Sequence, residues 1–216
     1  MSAVTPLEAA TLPIGFLDTV GASSTRLAAV ETYRTLLTAA NERMNLVGAS
    51  TLPDFWLRHF VDSAQLLWFS PGTRVWADLG AGAGLPGLIL AILLKDVPGA
   101  QVHLVESMAK CCDFLREVIG SLGLPATVHN ARAETLDIAV EVVTARACAP
   151  LDRLLGYAER FFSRGARGLF LKGSEVEAEI VAARKRWRFT VQTRASLSDP
   201  RGRVLSIEEV ARVGRR

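Results

Sequence analysis

Between the apolar runs RVWADL and LILAILL stand ten residues, Asp78 to Gly87 (DLGAGAGLPG), with four glycines and an acid at the entrance. Glycines at such spacing permit a tight turn and a close approach of backbone to a ligand, and Pro86 suits the first turn of a helix that follows. Three more charged residues stand where a strand-like run ends: Glu106 after QVHLV, Arg146 after EVVTA and Lys172 after RGLFL. An acid, two cations and a glycine turn at strand ends are the materials of a ligand cleft.

The turn satisfies two fingerprints. Gly82, Gly84 and Gly87 fit G-x-G-x-x-G, and Glu106 lies 24 residues after Gly82, near the spacing of a ribose-binding acid in a dinucleotide site. Asp78, Gly80, Gly82 and Gly84 equally fit acid-x-G-x-G-x-G, a loop form that holds S-adenosyl-L-methionine (SAM). A pyrophosphate wants backbone N–H groups and no carboxylate nearby, whereas a sulfonium and an amino group gain from Asp78. Only about seventy residues precede the first strand, which is little room for the separate substrate region of a nicotinamide enzyme. A third reading, in which the glycines serve only a strand-to-helix turn, stays open beside these two.

The elements that must position these residues follow from periodicity. Short β-rich runs at 74–79, 101–106, 126–132, 141–146, 167–172, 189–195 and 203–208 alternate with helical segments at 86–95, 107–122, 151–163 and 174–186. This alternation predicts an α/β fold, a mainly parallel seven-stranded sheet with helices on both faces, whose ligands lie beyond the carboxyl ends of the strands. Before it, apolar residues at Leu27, Val30, Tyr33, Leu37 and Met44 predict a helix capped by Ser23 or Ser24. A second helix is expected from TLPD, with Thr51 as cap and Asp54 in a capping-box position, to Phe69. Residues 1–70 thus read as a small N-terminal helical extension and 71–216 as one core.

Composition narrows the class. Half of the 216 residues are hydrophobic, yet the longest apolar run, Leu85 to Leu94, is too short to span a bilayer. The three cysteines suggest neither a disulfide framework nor a metal site, and a cytoplasmic protein is expected. Net charge is +3, but residues 184–216 hold ten Lys or Arg against three acids, which points to a polyanionic partner or to a solvated tail.

NERMNLVGAS (41–50), RHFVDSAQLL (58–67), the glycine loop with its leucine-proline-glycine ending, LVES before KCCDFL, ARAETL (131–136), TARACAPL (144–151) and LKGSEVEAEI (171–180) together resemble the bacterial small-subunit rRNA guanine-N7 methyltransferases, the RsmG/GidB family. The resemblance implies a Rossmann-like SAM-dependent methyltransferase fold. It also implies transfer of a methyl group to N7 of a guanine in the decoding region of 16S rRNA, within the small ribosomal subunit or an assembly intermediate, by a monomer. Asp78, Gly80, Gly82, Leu85, Glu106, Ala133, Glu134 and Arg146 would then hold the cofactor. Arg146 and Lys172 would position the base, and Asn45, Arg58, His59, Asp62 and Lys172 would shape the substrate side. Basic residues around Arg184, Lys185, Arg186 and Arg188, with the later arginines, would hold RNA phosphates. Where the family commonly carries a basic pair, this chain has Lys110 and Cys111.

The residues suit that chemistry. Guanine N7 offers a free lone pair, so no proton leaves before attack and positioning carries the burden. The exocyclic-amine signature Asp/Asn-Pro-Pro-aromatic is absent, ARACAPL standing in its place. Cys148 lacks the preceding proline of cytosine-C5 enzymes and reads as a small core residue. Cys111 and Cys112 read as core, and His103 and His129 as structural. His59, Asp62 and Ser63 share a helical face opposite Leu57, Val61, Ala64 and Trp68; the plain alternative to function is a helix-surface pair.

Overall fold

The computed structural model describes residues 12–214. After a single turn α1 (Phe16–Thr19) comes the long α2 (Ser24–Met44), whose first turn is capped by Ser23, its Oγ accepting the Arg26 N–H at 3.4 Å. A π-helical segment, Trp56–Val61, runs directly into α3 (Asp62–Phe69). The sheet then begins: β1 (Val75–Leu79), α4 (Gly87–Leu93), β2 (Gln101–Glu106), α5 (Ala109–Leu122), β3 (Ala126–Asn130), β4 (Val142–Arg146), α6 (Leu151–Tyr157), α7 (Glu159–Ser163), β5 (Arg167–Lys172), α8 (Val176–Ala183), β6 (Trp187–Ala195) and β7 (Arg203–Arg212).

The strand order is β3-β2-β1-β4-β5-β7-β6, parallel except for β7, which runs antiparallel between β5 and β6. The inner strands VWADL and VVTAR are buried almost without alternation because helices cover both faces. On one face α2, α4 and α5 bring Val30, Tyr33, Leu88 and Leu115 onto Trp76 and Leu104; on the other α6, α7 and α8 bring Leu154, Phe161 and Ile180 onto Ala77, Leu79 and Phe170. All seven residues of α4 are buried, as suits a helix apolar all round and wedged under α2.

Register fixes which end each loop occupies. Lys172 pairs with Arg203, and Arg203 with Ala195, so the β6–β7 connection lies at the carboxyl end of β5. Trp187 pairs with Arg212 at the opposite, amino end. The cluster Arg184, Lys185, Arg186 and Arg188 therefore sits at the far end of the sheet from the glycine loop. It does not flank the cleft, and the charge pattern alone could not say at which end of the sheet it would lie.

The expected second helix also differs. Thr51 caps nothing: it closes a 3₁₀ turn, Ala49–Thr51, and its hydroxyl donates to the Gly48 carbonyl at 2.7 Å. The expected helix over 151–163 breaks at Ala158 into α6 and α7. No helix among the described residues is long and apolar enough to cross a membrane.

Candidate active site at the carboxyl end of the sheet

The glycine loop leaves β1 with Gly80, Gly82 and Gly84 all at positive φ (67°, 51° and 89°), and Leu85–Pro86 is cis. A Cβ on Gly84 would stand 2.2 Å from Leu88 Cδ1, and one on Gly87 2.2 Å from Leu104 Cδ2, so both pack the turn onto the core. A Cβ on Gly82 would meet nothing nearer than the Gly80 carbonyl at 3.8 Å; this glycine looks into open space. The loop's own amides are largely engaged. Gly80 and Ala81 N–H donate to the Val105 carbonyl, Gly84 N–H to Ala81, Leu88 N–H to Gly84, Gly82 N–H to Glu106 Oε2 at 3.0 Å, and Gly87 N–H to Asp78 Oδ2 at 2.8 Å.

Asp78 lies fully buried beneath the loop and not on the cavity wall. Expected among the cofactor contacts, it instead ties the loop's end to its start. Burial pushes its carboxyl up to about 7 against the pull of the Gly87 N–H and Arg146, and its second oxygen, Oδ1, has no partner. Its strand neighbour in register, Thr144, likewise has an unpartnered buried hydroxyl. Glu106 ends β2 next door, buried, with Oε1 accepting the Met108 N–H at 2.7 Å. Ala133 is buried and Glu134 exposed on a 3₁₀ turn after β3. Glu106, Ala133 and Glu134 lie on the β2–β3 side of the loop, outside the main cavity.

That cavity, about 1210 Å³, opens on the β4–β5 side. Its lining includes Gly80, Gly82 and Leu85 of the glycine loop, Arg58, His59 and Asp62 of the N-terminal extension, Ser198 of the β6–β7 loop and Arg203, the first residue of β7. Arg146 lines it too. Its Nη1 donates to the Arg58 carbonyl (3.1 Å), to His59 Nδ1 (3.1 Å) and to Asp62 Oδ2 (3.3 Å). Ala147 follows at a φ of 50°, a strained left-handed conformation for a non-glycine residue at the edge of the site.

A helix-surface pair does not describe His59 and Asp62: His59 is only 4% exposed, while Leu57, placed on the inner face by its spacing, is 39% exposed. The π-helical turn is the reason: i→i+5 bonding over 56–61 rotates the side chains away from a 3.6-residue projection. Burial and the guanidinium groups of Arg146 and Arg58 pull the His59 imidazole down to about 4. Asp62 Oδ1 accepts from Ser198 Oγ (2.6 Å) and Gln65 Nε2 (3.0 Å), and Gln65 Oε1 accepts the Leu197 N–H (2.8 Å). These bonds hold the β6–β7 loop onto α3.

Lys172, expected to reach RNA or base, is engaged inside the protein: its ammonium donates to the Ala149 carbonyl (2.9 Å) and pairs with Glu179 (2.6 Å), which also accepts the Leu151 N–H. It lines the cavity while its ammonium is tied to the 147–150 loop and to α8. Cys148 is exposed, not core, and its Sγ lies 2.6 Å from where a Gly80 Cβ would stand. Although the residue is exposed, partial burial of its thiol, then Asp78 and Glu106, push its pKa up, which opposes a thiolate mechanism. Cys111 and Cys112 are buried as expected, and His103 Nδ1 meets His129 Nε2 across β2 and β3 at 2.9 Å. Asn45 is the left-handed C-cap of α2, exposed and beside the cavity-lining Leu46–Gly48 rather than on the wall. Nothing in the sequence marks Thr51 or Gln65 as a site residue, and helical spacing marks Tyr33 only as core.

The donor set discriminates between the two cofactor readings. A pyrophosphate needs amides at the helix start. Here Pro86 has none, Gly87 gives its own to Asp78 and Leu88 gives its own to Gly84. What the loop presents is space at Gly82, with the Glu106 carboxylate bonded to the Gly82 N–H beside it, which suits a ligand with ribose hydroxyls that approaches the backbone closely and carries no pyrophosphate. The residues fit SAM and not a dinucleotide.

Residues 26–202 match the family model described as rRNA small subunit methyltransferase G. The chain is 54% identical over 199 residues to the ribosomal RNA small subunit methyltransferase G of Caulobacter vibrioides strain NA1000, covering 92% of each, and 48% identical over 179 residues to that of Parvibaculum lavamentivorans, covering 81% of this chain and 79% of the relative. A crystal structure of a SAM-dependent methyltransferase from Aquifex aeolicus superposes with a TM-score of 0.55 at 13% identity, over 72% of this chain and 93% of that one, a likeness of fold.

Proposed function

Because the chain belongs to the family of rRNA small subunit methyltransferase G, we propose that it transfers the methyl group of SAM to N7 of a guanine in the decoding region of 16S rRNA. The observation that carries this reading is the cavity at the carboxyl ends of β1, β4 and β5, lined by an open glycine and by an arginine held through three hydrogen bonds. Bound SAM supplies an electrophilic methyl on a sulfonium. Gly80, Gly82 and Leu85 would pass along it, Glu106 would take the ribose, and Ala133 with Glu134 would border the base of the cofactor.

The chain's own residues then have a positioning task. The lone pair of N7 is free at neutral pH, and one positive charge is only moved, from sulfur to purine, so no base is required. The three bonds of Arg146 use Nη1; Nε and Nη2 have no partner among the described residues and are suited to the O6 edge of guanine, which leaves N7 unencumbered. Asp62 offsets the arginine's charge, so a donor is present without a bare cation beside the purine as it becomes positive. Lys172 keeps the neighbouring loop in place through Ala149.

The substrate would be the rRNA within a small subunit or assembly intermediate, bound by a monomer in the cytoplasm. In this reading the described part of 1–70 is the helical extension that borders the cleft of the core, 71–216, residues 1–11 and 215–216 lying outside the described residues. Small subunits from a strain lacking the enzyme, incubated with the protein and SAM, should yield a strand break at one 16S position after borohydride and aniline. No break means that the base or the RNA is misassigned.

A further inference from the structure

Arg146 meets His59 through Nδ1, and an arginine can only donate, so that nitrogen must carry the lone pair. The proton of the neutral imidazole then sits on Nε2. Nε2 faces Thr51 Oγ1 at 2.8 Å, and the same hydroxyl donates its own hydrogen to the Gly48 carbonyl at 2.7 Å. Donation along this row runs one way, from Arg146 to His59, from His59 to Thr51 and from Thr51 to Gly48, while Arg146 Nη1 also reaches the Arg58 carbonyl and Asp62 Oδ2. With its hydrogen committed to Gly48, Thr51 can only accept from the imidazole. The reverse tautomer would set Nδ1–H against Nη1–H and Nε2 against an oxygen with no hydrogen to give.

We infer that Thr51 is a positioning residue for methyl transfer: by fixing His59 as the Nε2–H tautomer it fixes the orientation of Arg146 at the end of β4. The inference rests on the placement of Arg146 at the target base. Burial supports it, since His59 is 4% exposed and packed edge-on against Phe55, its ring centroid 5.7 Å away, leaving the imidazole little freedom to find other partners. Burial, then the Arg146 guanidinium from β4 and the Arg58 guanidinium from its own segment, hold the imidazole neutral against a backbone hydrogen bond at Arg58 that favours the protonated form. Thr51 precedes this helical segment, outside the RHFVDS stretch, in a 3₁₀ turn whose only sequence signal resembled a helix cap.

Nitrogen-15 spectra of the wild-type imidazole should show His59 with a protonated, pyrrole-type Nε2 and an unprotonated Nδ1 near neutral pH; the opposite pattern overturns the inference without any variant. Thr51→Val should give a mixture of the two tautomers and lower kcat on the order of tenfold, the scale of one buried hydrogen bond, with KM for SAM unchanged. Thr51→Ser should restore both. If Arg146→Ala is inactive while Thr51→Val keeps full kcat, Thr51 plays no positioning role although the reading of Arg146 stands. Normal turnover by Arg146→Ala would instead remove the reading on which this one rests.

Discussion

The Tyr33 hydroxyl donates to the Ala83 carbonyl at 2.8 Å, across fifty residues of chain. The middle of α2 thereby holds the middle of the glycine loop, and burial of the phenol pushes its pKa up so that it stays a donor at any working pH. Tyr33→Phe leaves that carbonyl without this donor while keeping the ring against Phe55. The expected loss is about 1–2 kcal/mol of stability, together with several-fold weaker SAM binding by calorimetry. Unchanged affinity would mean that the extension does not support the loop.

Gly82 and Gly87 stand in one motif for different reasons, and the difference is measurable. Gly82→Ala places a methyl in open space at a φ of 51°, at a backbone cost of about 1–2 kcal/mol; the protein should fold and lose SAM affinity. Gly87→Ala places one 2.2 Å from Leu104 and 2.7 Å from Asp78 Oδ2, so thermal melting should show the larger loss. If Gly82→Ala binds SAM normally, the open side of the loop is not where the cofactor lies.

Asp78 makes stability depend on pH with a definite sign. Its carboxyl titrates near 7 when folded, because burial raises it, and near 3.8 when exposed. Between those values the folded chain holds a proton that the unfolded chain has released, so stability falls as pH rises from about 4 to about 7 and then levels. Asp78→Asn removes this component, on the order of a few kcal/mol, while an amide oxygen can still accept from Gly87. Parallel denaturation curves for wild type and variant across that window would contradict the raised carboxyl.

Arg146 is held by Arg58, His59 and Asp62, so its removal costs both a substrate interaction and three internal bonds. Arg146→Lys keeps a charge but not the planar fork. Both Arg146→Ala and Arg146→Lys should lower kcat at least a hundredfold, the usual scale for removing a positioning group, with SAM affinity within a few-fold of wild type. Single-turnover methylation of small subunits separates these effects.

How much of the fold was legible in the sequence depends on whether local or distant forces decided each feature. β2 and β5 have the bounds that periodicity predicted, because their runs are closed by turn residues and buried on both faces. The antiparallel β7 and the location of Arg184–Arg188 were hidden: which end of a sheet a charge occupies depends on strand direction, not on composition. RHFVDS misled for another reason. A 3.6-residue wheel fails where the backbone takes a π-helical turn, so the burial of His59 and exposure of Leu57 follow from tertiary packing. Arg146 and Asp78 were both identified, yet only the folded chain separates a residue on the cavity wall from one beneath the loop.

The same topology decides how the RNA should be held. Arg58, Arg201 and Arg203 stand at the carboxyl end and Arg58 and Arg203 line the cavity, whereas Lys185 and Arg188 are exposed at the amino end. A strand whose guanine enters the cavity must lay its neighbouring phosphates over the first group. Arg58→Gln with Arg201→Gln should raise KM for the small subunit and reduce the slope of log affinity against log salt by about 0.7 for each phosphate no longer neutralised. Lys185→Gln with Arg188→Gln should leave that slope nearly unchanged. The reverse result would place the RNA along the β6 edge and require a path from that edge to the cleft, a distance set by the nine residues of β6.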